Sequence, residues 1–274
     1  MRRSRRRVHH PRRFDWTSYL DAFHASRPGI TEDVLTASRT STGFTPYEWV
    51  VAPIGAGMRV LDIACGSGPC MDVRKSESWI GLDRSIEELG RARSNGRALL
   101  VRGDATALPF RSGSFDVVVC SMALMLVQPF SRMIGEVNRV LCDGATFVFM
   151  MPGRRPLRAR DVVRYARLVR RLGRWQLRYP NDGELRHLVS LFDEFGFDVL
   201  DDARERFGFQ LRTTDDADRF VQSLYLPKVT PVEVERGIAL ATTWVGTEIG
   251  IPLRRIIARK RPHESRASRY SNSE

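Results

Sequence analysis

Three acidic residues follow short apolar segments in the first half of the chain. Asp62 lies within the glycine-containing segment VLDIACGSG (60–68), Asp83 follows 21 residues later, and Asp104 comes after a third apolar segment. The two glycines allow a tight turn and a close approach of a ligand to the backbone. A carboxylate about 20 residues beyond such a loop can accept hydrogen bonds from ribose hydroxyls. The spacing therefore predicts a nucleotide-like site, with Asp104 suited to an adenine amino group.

The hydrophobic pattern around these acids predicts a sheet that brings them to one edge. Strand patterns lie at 59–64, 78–82, 98–102, 115–121, 145–151, within 197–211 and at 252–259. Helical spacing lies at 86–93, 130–141, 181–197, 213–224 and 231–245. This alternation predicts an α/β, Rossmann-like fold with a seven-stranded, mostly parallel sheet and helices on both faces. Ligands of such sheets bind at the carboxyl ends of the strands, where all three acids fall.

The remaining segments predict appendages to this main domain. We expect a disordered basic arm at 1–13, a helical cover at 14–53, a main domain at 54–262 and a flexible tail at 263–274. Within the main domain we expect a basic, lid-like insertion at 153–180 and a helical insertion at 212–250 before the last strand.

Composition limits the classes of protein that the chain can represent. No apolar run reaches the ~20 residues that span a membrane, and the basic N-terminus lacks the apolar stretch of a signal peptide. The four cysteines form no CxxC pair, so we expect no zinc site and a reducing, cytoplasmic location. The net charge is +12, but 41 of the 44 basic residues are arginine. This preference suggests a GC-rich bacterial coding sequence and weakens the inference from charge to nucleic acid.

Five motifs in order resemble the class I S-adenosylmethionine-dependent methyltransferases, in the small-molecule group similar to the type 11 ubiquinone and menaquinone enzymes. They are VLDIACGSGP (60–69), WIGLDRS (79–85), VRGDATALPF (101–110), SFDVVVCSMAL (114–124) and EVNRVLCDGATFVF (136–149). A nicotinamide-binding GxGxxG loop would need glycine where this chain has Met71.

The resemblance implies S-adenosylmethionine as cofactor and a set of residues that contact it. The implied contacts are with the methionine part for Asp62, Ala64, Cys65, Gly66, Gly68 and Ser121, with the ribose for Asp83, and with the adenosine for Arg84, Ser85, Asp104 and Ala105.

Methyl transfer requires mainly alignment of the reacting atoms and exclusion of water, and a base only where the acceptor holds its proton tightly. His24 and Tyr47, in the predicted cover, are the candidate catalytic residues, with Tyr19 and His187 as further candidates. A packed or solvated side chain is the competing interpretation for each of them. Sequence leaves the acceptor open: a small or lipid-like molecule methylated at oxygen, nitrogen or carbon is favoured, with an RNA methyltransferase and a catalytically silent cofactor-binding protein as alternatives.

An arginine stripe marks the insertion at 153–180. Arg160, Arg164, Arg167, Arg171 and Arg174 are spaced to share one helix face, and Val162, Ala166, Val169 and Leu172 form another. A solvated lid face, a helix that contacts an anionic membrane and delivers a lipid-like acceptor, and a contact with RNA phosphates all fit this pattern.

Overall fold

A seven-stranded sheet forms the centre of the molecule, as the alternating pattern predicted. The computed structural model describes residues 14–73 and 78–262, so the predicted arm (1–13) and tail (263–274) lie outside the described residues. The strands are β1 (Val60–Ile63), β2 (Trp79–Asp83), β3 (Leu100–Arg102), β4 (Phe115–Ser121), β5 (Leu141–Pro152), β6 (Phe197–Leu211) and β7 (Thr247–Lys260).

The strand order is β3-β2-β1-β4-β5-β7-β6. Strands β1 to β5 pair in parallel, whereas β7 runs antiparallel to both of its neighbours. The chain turns from β1 outward to β2 on one side and later to β4 on the other. This topological switch places a crevice at the carboxyl end of β1, where the glycine loop begins.

Helices cover both faces of the sheet, and further helices lie within the segments predicted as a cover and as insertions. The first group is α1 (Trp16–Ser26), α2 (Ile30–Thr36), α3 (Pro46–Val51), α4 (Pro69–Val73), α5 (Ile86–Ser94) and α6 (Phe130–Val140). The second group is α7 (Ala159–Arg171), α8 (Leu188–Glu194), α9 (Thr214–Gln222) and α10 (Pro231–Thr242). A 3₁₀ turn (Glu184–His187) precedes α8. Among the described residues, no helix combines the length and apolar character needed to cross a membrane.

Strand β5 shows how one sequence buries both faces of the sheet. Phe147 and Phe149 pack on one side, where both rings contact Phe192 of α8. Val148 and Met150 belong to the cluster on the other side, which contains Val50 of α3. A central strand covered on both faces reads as a continuous apolar run, which is the reason that this strand could be recognised in the sequence.

The predicted single helix over 181–197 was wrong in its first part. Asn181 is fully buried and donates both side-chain hydrogen bonds to the carbonyls of Leu124 and Val127, each at 2.8 Å. The backbone N–H of Asn181 donates to the carbonyl of Met125. These bonds tie the segment to the loop after β4, and the regular α-helix begins only at Leu188.

The predicted apolar face of α7 was wrong at Val162 and Ala166. Helix α7 buries Asp161, Leu168 and, just after its last turn, Leu172, while Val162 and Ala166 are exposed. Asp161 is buried because Arg206 pairs with its carboxylate at 2.8 Å and Gly250 donates its backbone N–H. A hydrophobicity pattern assigns an aspartate such as Asp161 to solvent. The predicted buried face of the helix was therefore rotated from the observed one.

Two arginines of the stripe point away from solvent. Arg164 donates to the carbonyl of Glu248 at 2.8 Å and stacks over the ring of Trp244 at 5.4 Å. Arg174 lies beyond the last residue of α7 and donates to the carbonyl of Pro227. The stripe is therefore divided between anchoring residues and exposed ones.

Candidate functional site

The loop from β1 to α4 adopts a backbone that favours glycine. Gly66 and Gly68 have positive φ angles of 55° and 77°, and Ala64 shares the left-handed region at 50°. A side chain at Gly68 would place its Cβ 2.8 Å from the Cδ of Arg97. Arg97 is buried and donates to the carbonyl of Ser67, so this arginine fixes the loop from below. The glycine motif therefore reflects both backbone conformation and lack of space.

Asp83, at the end of β2, contacts the same loop. One of its carboxylate oxygens accepts from the N–H of Gly66 at 2.8 Å, and the other accepts from the N–H of Ser85 at 2.8 Å. Burial raises the pKa of Asp83, while these two hydrogen bonds partly oppose the increase. The carboxylate is thus held in place beside the glycine loop.

The cover helices reach the site through Glu88 of α5. The Nδ1 of His24 lies 2.7 Å from one carboxylate oxygen of Glu88, and the same oxygen accepts from the N–H of Gly29 at 3.0 Å. A second link runs from Arg97 to Glu32 of α2, at 3.4 Å. These contacts hold α1 and α2 across the mouth of the glycine-loop pocket.

Buried side-chain oxygens without a hydrogen-bond partner gather around this pocket. Within the described part of the chain they include both carboxylate oxygens of Asp62, one each of Glu32 and Glu88, and the hydroxyls of Ser67 and Ser121. All of these residues except Asp62 line a pocket of about 130 Å³. Buried polar groups normally have partners, so this concentration fits a ligand rich in hydroxyl and amino groups. S-adenosylmethionine has both, and the residues present fit it.

Asp62 lies behind the loop, almost entirely buried. Burial, and secondly the nearby Asp83, raises the pKa of the Asp62 carboxyl to about 8. A cationic group of a ligand would lower this pKa, because it favours the charged carboxylate. Asp62 is therefore suited to a ligand that carries an ammonium group.

The structure brings together most of the predicted cofactor residues. Ala64, Cys65, Gly66, Asp83, Arg84 and Ser121 line the pocket. The Ser85 hydroxyl instead caps α5, where it accepts from the N–H of Glu88 at 3.2 Å. Gly68, Asp104 and Ala105 are outside the lining. Asp104 is exposed, and one of its oxygens accepts from the backbone and hydroxyl of Thr106, so its contact with adenine stays a prediction.

The candidate catalytic residues lie in different surroundings. His24 and Tyr47 both line the pocket, His24 paired with Glu88 and Tyr47 buried. Burial raises the pKa of Tyr47 well above its usual value, so its hydroxyl stays protonated and can act as a donor. The hydroxyl of Tyr19 accepts from the N–H of Leu226, and His187 ends the 3₁₀ turn away from the pocket. The catalytic roles of all four stay predictions.

A second, larger cavity of about 380 Å³ adjoins the first. Thr31, Met122 and Tyr225 line both. Met122 has a positive φ of 59°, an unfavourable conformation for a residue with a side chain, and it stands where the two cavities meet. The wall of the second cavity is mainly apolar, with Val34, Val169, Leu177, Phe220 and Leu253 among its residues.

Three tyrosines are among the polar residues that line this second cavity. Burial raises the pKa of Tyr165, Tyr179 and Tyr225, so their hydroxyls remain donors. The hydroxyl of Tyr165 donates to the carbonyl of Gly250. Sequence reasoning missed Tyr179 and Tyr225, because neither belongs to a motif and the fold brings them to the cavity from distant segments.

The methyltransferase domain family matches residues 61–149. A protein of Encephalitozoon cuniculi named as a methyltransferase is 32% identical over 164 residues, which cover 53% of this chain and 73% of that relative. The demethylmenaquinone methyltransferase of Renibacterium salmoninarum is 32% identical over 133 residues, 45% of this chain and 53% of that enzyme. The chain spans about half the length of several curated relatives that it matches.

A solved structure extends the similarity of fold beyond the matched domain. Phosphoethanolamine N-methyltransferase 2 of Haemonchus contortus, in complex with phosphomonomethylethanolamine and S-adenosylhomocysteine, aligns with a TM-score of 0.54 and 18% identity. The alignment covers 90% of this chain and 60% of that one. The shared architecture therefore includes segments on both sides of residues 61–149.

Proposed function

The chain belongs to the class I S-adenosylmethionine-dependent methyltransferases of the type 11 group, and on this premise we propose that it methylates an apolar, oxygen-bearing small or lipid-like acceptor. The observation that carries the proposal is the contact between two unlike cavities. One is lined by buried oxygens that lack partners, and the other is lined by aliphatic side chains and tyrosines.

The polar pocket suits the cofactor. Asp62, buried behind the glycine loop, is suited to an ammonium group, and Asp83, which accepts from two backbone N–H groups, can also accept from ribose hydroxyls. The free oxygen of Glu88 and the hydroxyl of Ser121 offer further acceptors. When bound, S-adenosylmethionine supplies a methyl group on a sulfonium, which is transferred by in-line displacement.

The apolar cavity suits the acceptor. Its aliphatic wall excludes water, and the hydroxyls of Tyr179 and Tyr225 can donate to an acceptor oxygen and so orient the ring or chain that bears it. Transfer would join the methyl group to the acceptor, break the methyl–sulfur bond and release a proton from the acceptor. Because the tyrosines keep their own protons, their role would be orientation, and the proton of the acceptor would pass to a base other than these tyrosines.

A quinone head group has the required character, since it joins an apolar ring to two oxygens. The similarity to a demethylmenaquinone methyltransferase supports this class of acceptor. The cavity also favours it over RNA, because the wall beside Met122 presents few charges for phosphates. Arg154 and Asp182 are charged residues on that wall, and they are of opposite sign.

The test has two parts that use the full chain. Calorimetry with S-adenosylmethionine and S-adenosylhomocysteine should show binding of both. Release of S-adenosylhomocysteine should then occur with a reduced 1,4-naphthoquinone and be absent with phosphomonomethylethanolamine or total RNA. Release of S-adenosylhomocysteine with RNA as the sole effective acceptor would overturn the proposed acceptor class. Cofactor binding with no release of S-adenosylhomocysteine, even when cell extract supplies the acceptors, would identify a catalytically silent protein.

A further inference from the structure

The insertion at 153–180 presents a strongly positive outer surface. It contains ten arginines and a single carboxylate, Asp161, which is buried against Arg206. Arg167, Arg170 and Arg171 are exposed, and none has a salt-bridge partner within the described ranges. The charge of this surface is therefore not neutralised by its own segment.

Apolar side chains share this outer surface. Val162 and Val163 are 52% and 56% exposed, and Trp175, just beyond α7, is 100% exposed. Helical geometry places Val163 on the side of α7 that carries Arg167 and Arg170, opposite the buried Leu168, and Val162 is exposed in the first turn of the helix. Exposure of a valine side chain to water is unfavourable, whereas valine, tryptophan and arginine are all suited to a membrane interface.

The inner side of the same insertion lines the acceptor cavity. Leu157, Val169 and Leu177 contribute to its wall. Val169 belongs to α7 itself, so this helix contributes to the cavity wall through Val169 and exposes Val163, Arg167 and Arg171 to solvent on its other side. If the outer side of this insertion bound a lipid bilayer, the cavity would lie next to the apolar acceptor molecules that the bilayer contains.

We propose that the lid surface, defined as Val162, Val163, Arg167, Arg170, Arg171 and Trp175, docks the enzyme on an anionic lipid bilayer. The arginines pair with lipid phosphates, and the valines and tryptophan enter the headgroup region. The inference rests on the proposed function, because a lipid-like acceptor gives the contact its purpose. The exposed valines favour a bilayer over RNA, whose phosphates offer them no apolar partner.

The experiment is sedimentation of the full chain with vesicles, in the absence of cofactor and acceptor. Vesicles of phosphatidylcholine with about 30% phosphatidylglycerol are compared with phosphatidylcholine alone, a composition chosen to supply negative surface charge. The test variant is R167Q/R170Q/R171Q, and its control is R93Q/R111Q/R132Q, which removes three exposed arginines elsewhere. All variants retain the arginines of residues 1–13.

The wild-type chain should prefer the anionic vesicles, and the test variant should lose on the order of a hundredfold in affinity, at about tenfold or less per arginine. The control variant should lose much less. W175A should lose several-fold, and the blue shift of tryptophan emission on vesicle binding should be absent in W175F. Equal losses for both triple variants, equal binding to both vesicles, or binding to RNA alone would overturn the proposal. None of these readouts depends on methyl transfer, so failure here leaves the calorimetric and turnover tests independent.

Discussion

The two cavities that meet at Thr31, Met122 and Tyr225 differ in how their walls are made. The pocket proposed for the cofactor is built from the motif residues that end or follow β1, β2 and β4, together with residues of α1 and α2. The cavity proposed for the acceptor is lined mainly by segments outside the motifs, namely α2, the insertion at 153–180, α9 and β7. With the proposed assignment, substitutions in the second wall would change the acceptor without a change in the site of the methyl donor.

The difference extends to how the two walls are held. Short hydrogen-bonded links from Asp83 and Arg97 fix the cofactor loop. Helix α7, which contributes to the second wall, is anchored by a buried ion pair between Asp161 and Arg206 of β6, together with bonds from Arg164 and Tyr165 to β7. Substitutions in the two regions should therefore separate effects on the donor from effects on the acceptor.

Loss of the buried ion pair should give the largest effect. R206M leaves the Asp161 carboxylate buried without its partner, and removal of one member of such a pair costs about 3–5 kcal/mol. Urea unfolding should show this decrease in stability. Because α7 loses this anchor, KM for the acceptor should also increase while the affinity for S-adenosylmethionine changes little.

The matched variant for this prediction is D161N/R206Q, which removes both charges and can keep a hydrogen bond. It should recover most of the lost stability. An equal loss of cofactor affinity in R206M would contradict the separation of the two walls.

Removal of the Asp83 carboxylate should weaken the donor site. D83A loses the bonds to the N–H groups of Gly66 and Ser85 as well as those predicted to the ribose. A hydrogen bond to a charged group contributes about 1.5–3 kcal/mol, so calorimetry should show a loss of roughly ten- to a hundredfold in affinity for S-adenosylmethionine. D198A, which removes an exposed carboxylate of β6, is the control and should bind normally. Unchanged affinity in D83A would remove Asp83 from the site.

The raised pKa of Asp62 predicts a pH dependence of binding. Below its pKa of about 8, the carboxyl is protonated in the free protein and must ionise to hold an ammonium group. The ratio of wild-type to D62N affinity for S-adenosylmethionine should therefore increase by up to about tenfold per pH unit between pH 6 and pH 7.5. Titration of the ligand itself affects both proteins equally and therefore does not change this ratio. A ratio that stays constant with pH would show that Asp62 does not ionise on binding.

The raised pKa of Asp62 also predicts that the stability of the free protein decreases as the pH increases. Because folding raises the pKa of this carboxyl above its value of 3.8, the folded state holds the proton that the unfolded chain releases between about pH 4 and pH 8. Asp62 therefore contributes stability at acid pH that is lost as the pH increases through this window. Thermal unfolding of the free protein should show D62N to be more stable than wild type at pH 8, with the difference decreasing toward pH 4.

The predictable part of the molecule is the part whose contacts are local or periodic. The sheet followed from apolar strands covered on both faces, and the position of Asp83 beside the glycine loop followed from their places at neighbouring strand ends, whereas the contact of Asp104 with the cofactor stays a prediction. Glu88 and Tyr225 escaped prediction because their partners lie far along the chain: the oxygen of Glu88 meets His24, 64 residues away. Asp161 shows a third cause, since an ion pair with Arg206 buried a residue that hydropathy assigns to solvent.

Narrowing the acceptor cavity should give the smallest effect and the clearest separation. Val169 is half-buried on the cavity side of α7, so V169F adds volume to the wall, and overpacking of this kind costs about 1–3 kcal/mol. KM for a short-chain, water-soluble quinol should increase by about tenfold, while calorimetric affinity for S-adenosylmethionine stays the same. V189F makes the same change on the exposed side of α8 and should alter neither value. If V169F weakened the binding of S-adenosylmethionine as much as that of the quinol, the two cavities would act as one site. The wall that they share at Met122 would then transmit the change from one cavity to the other.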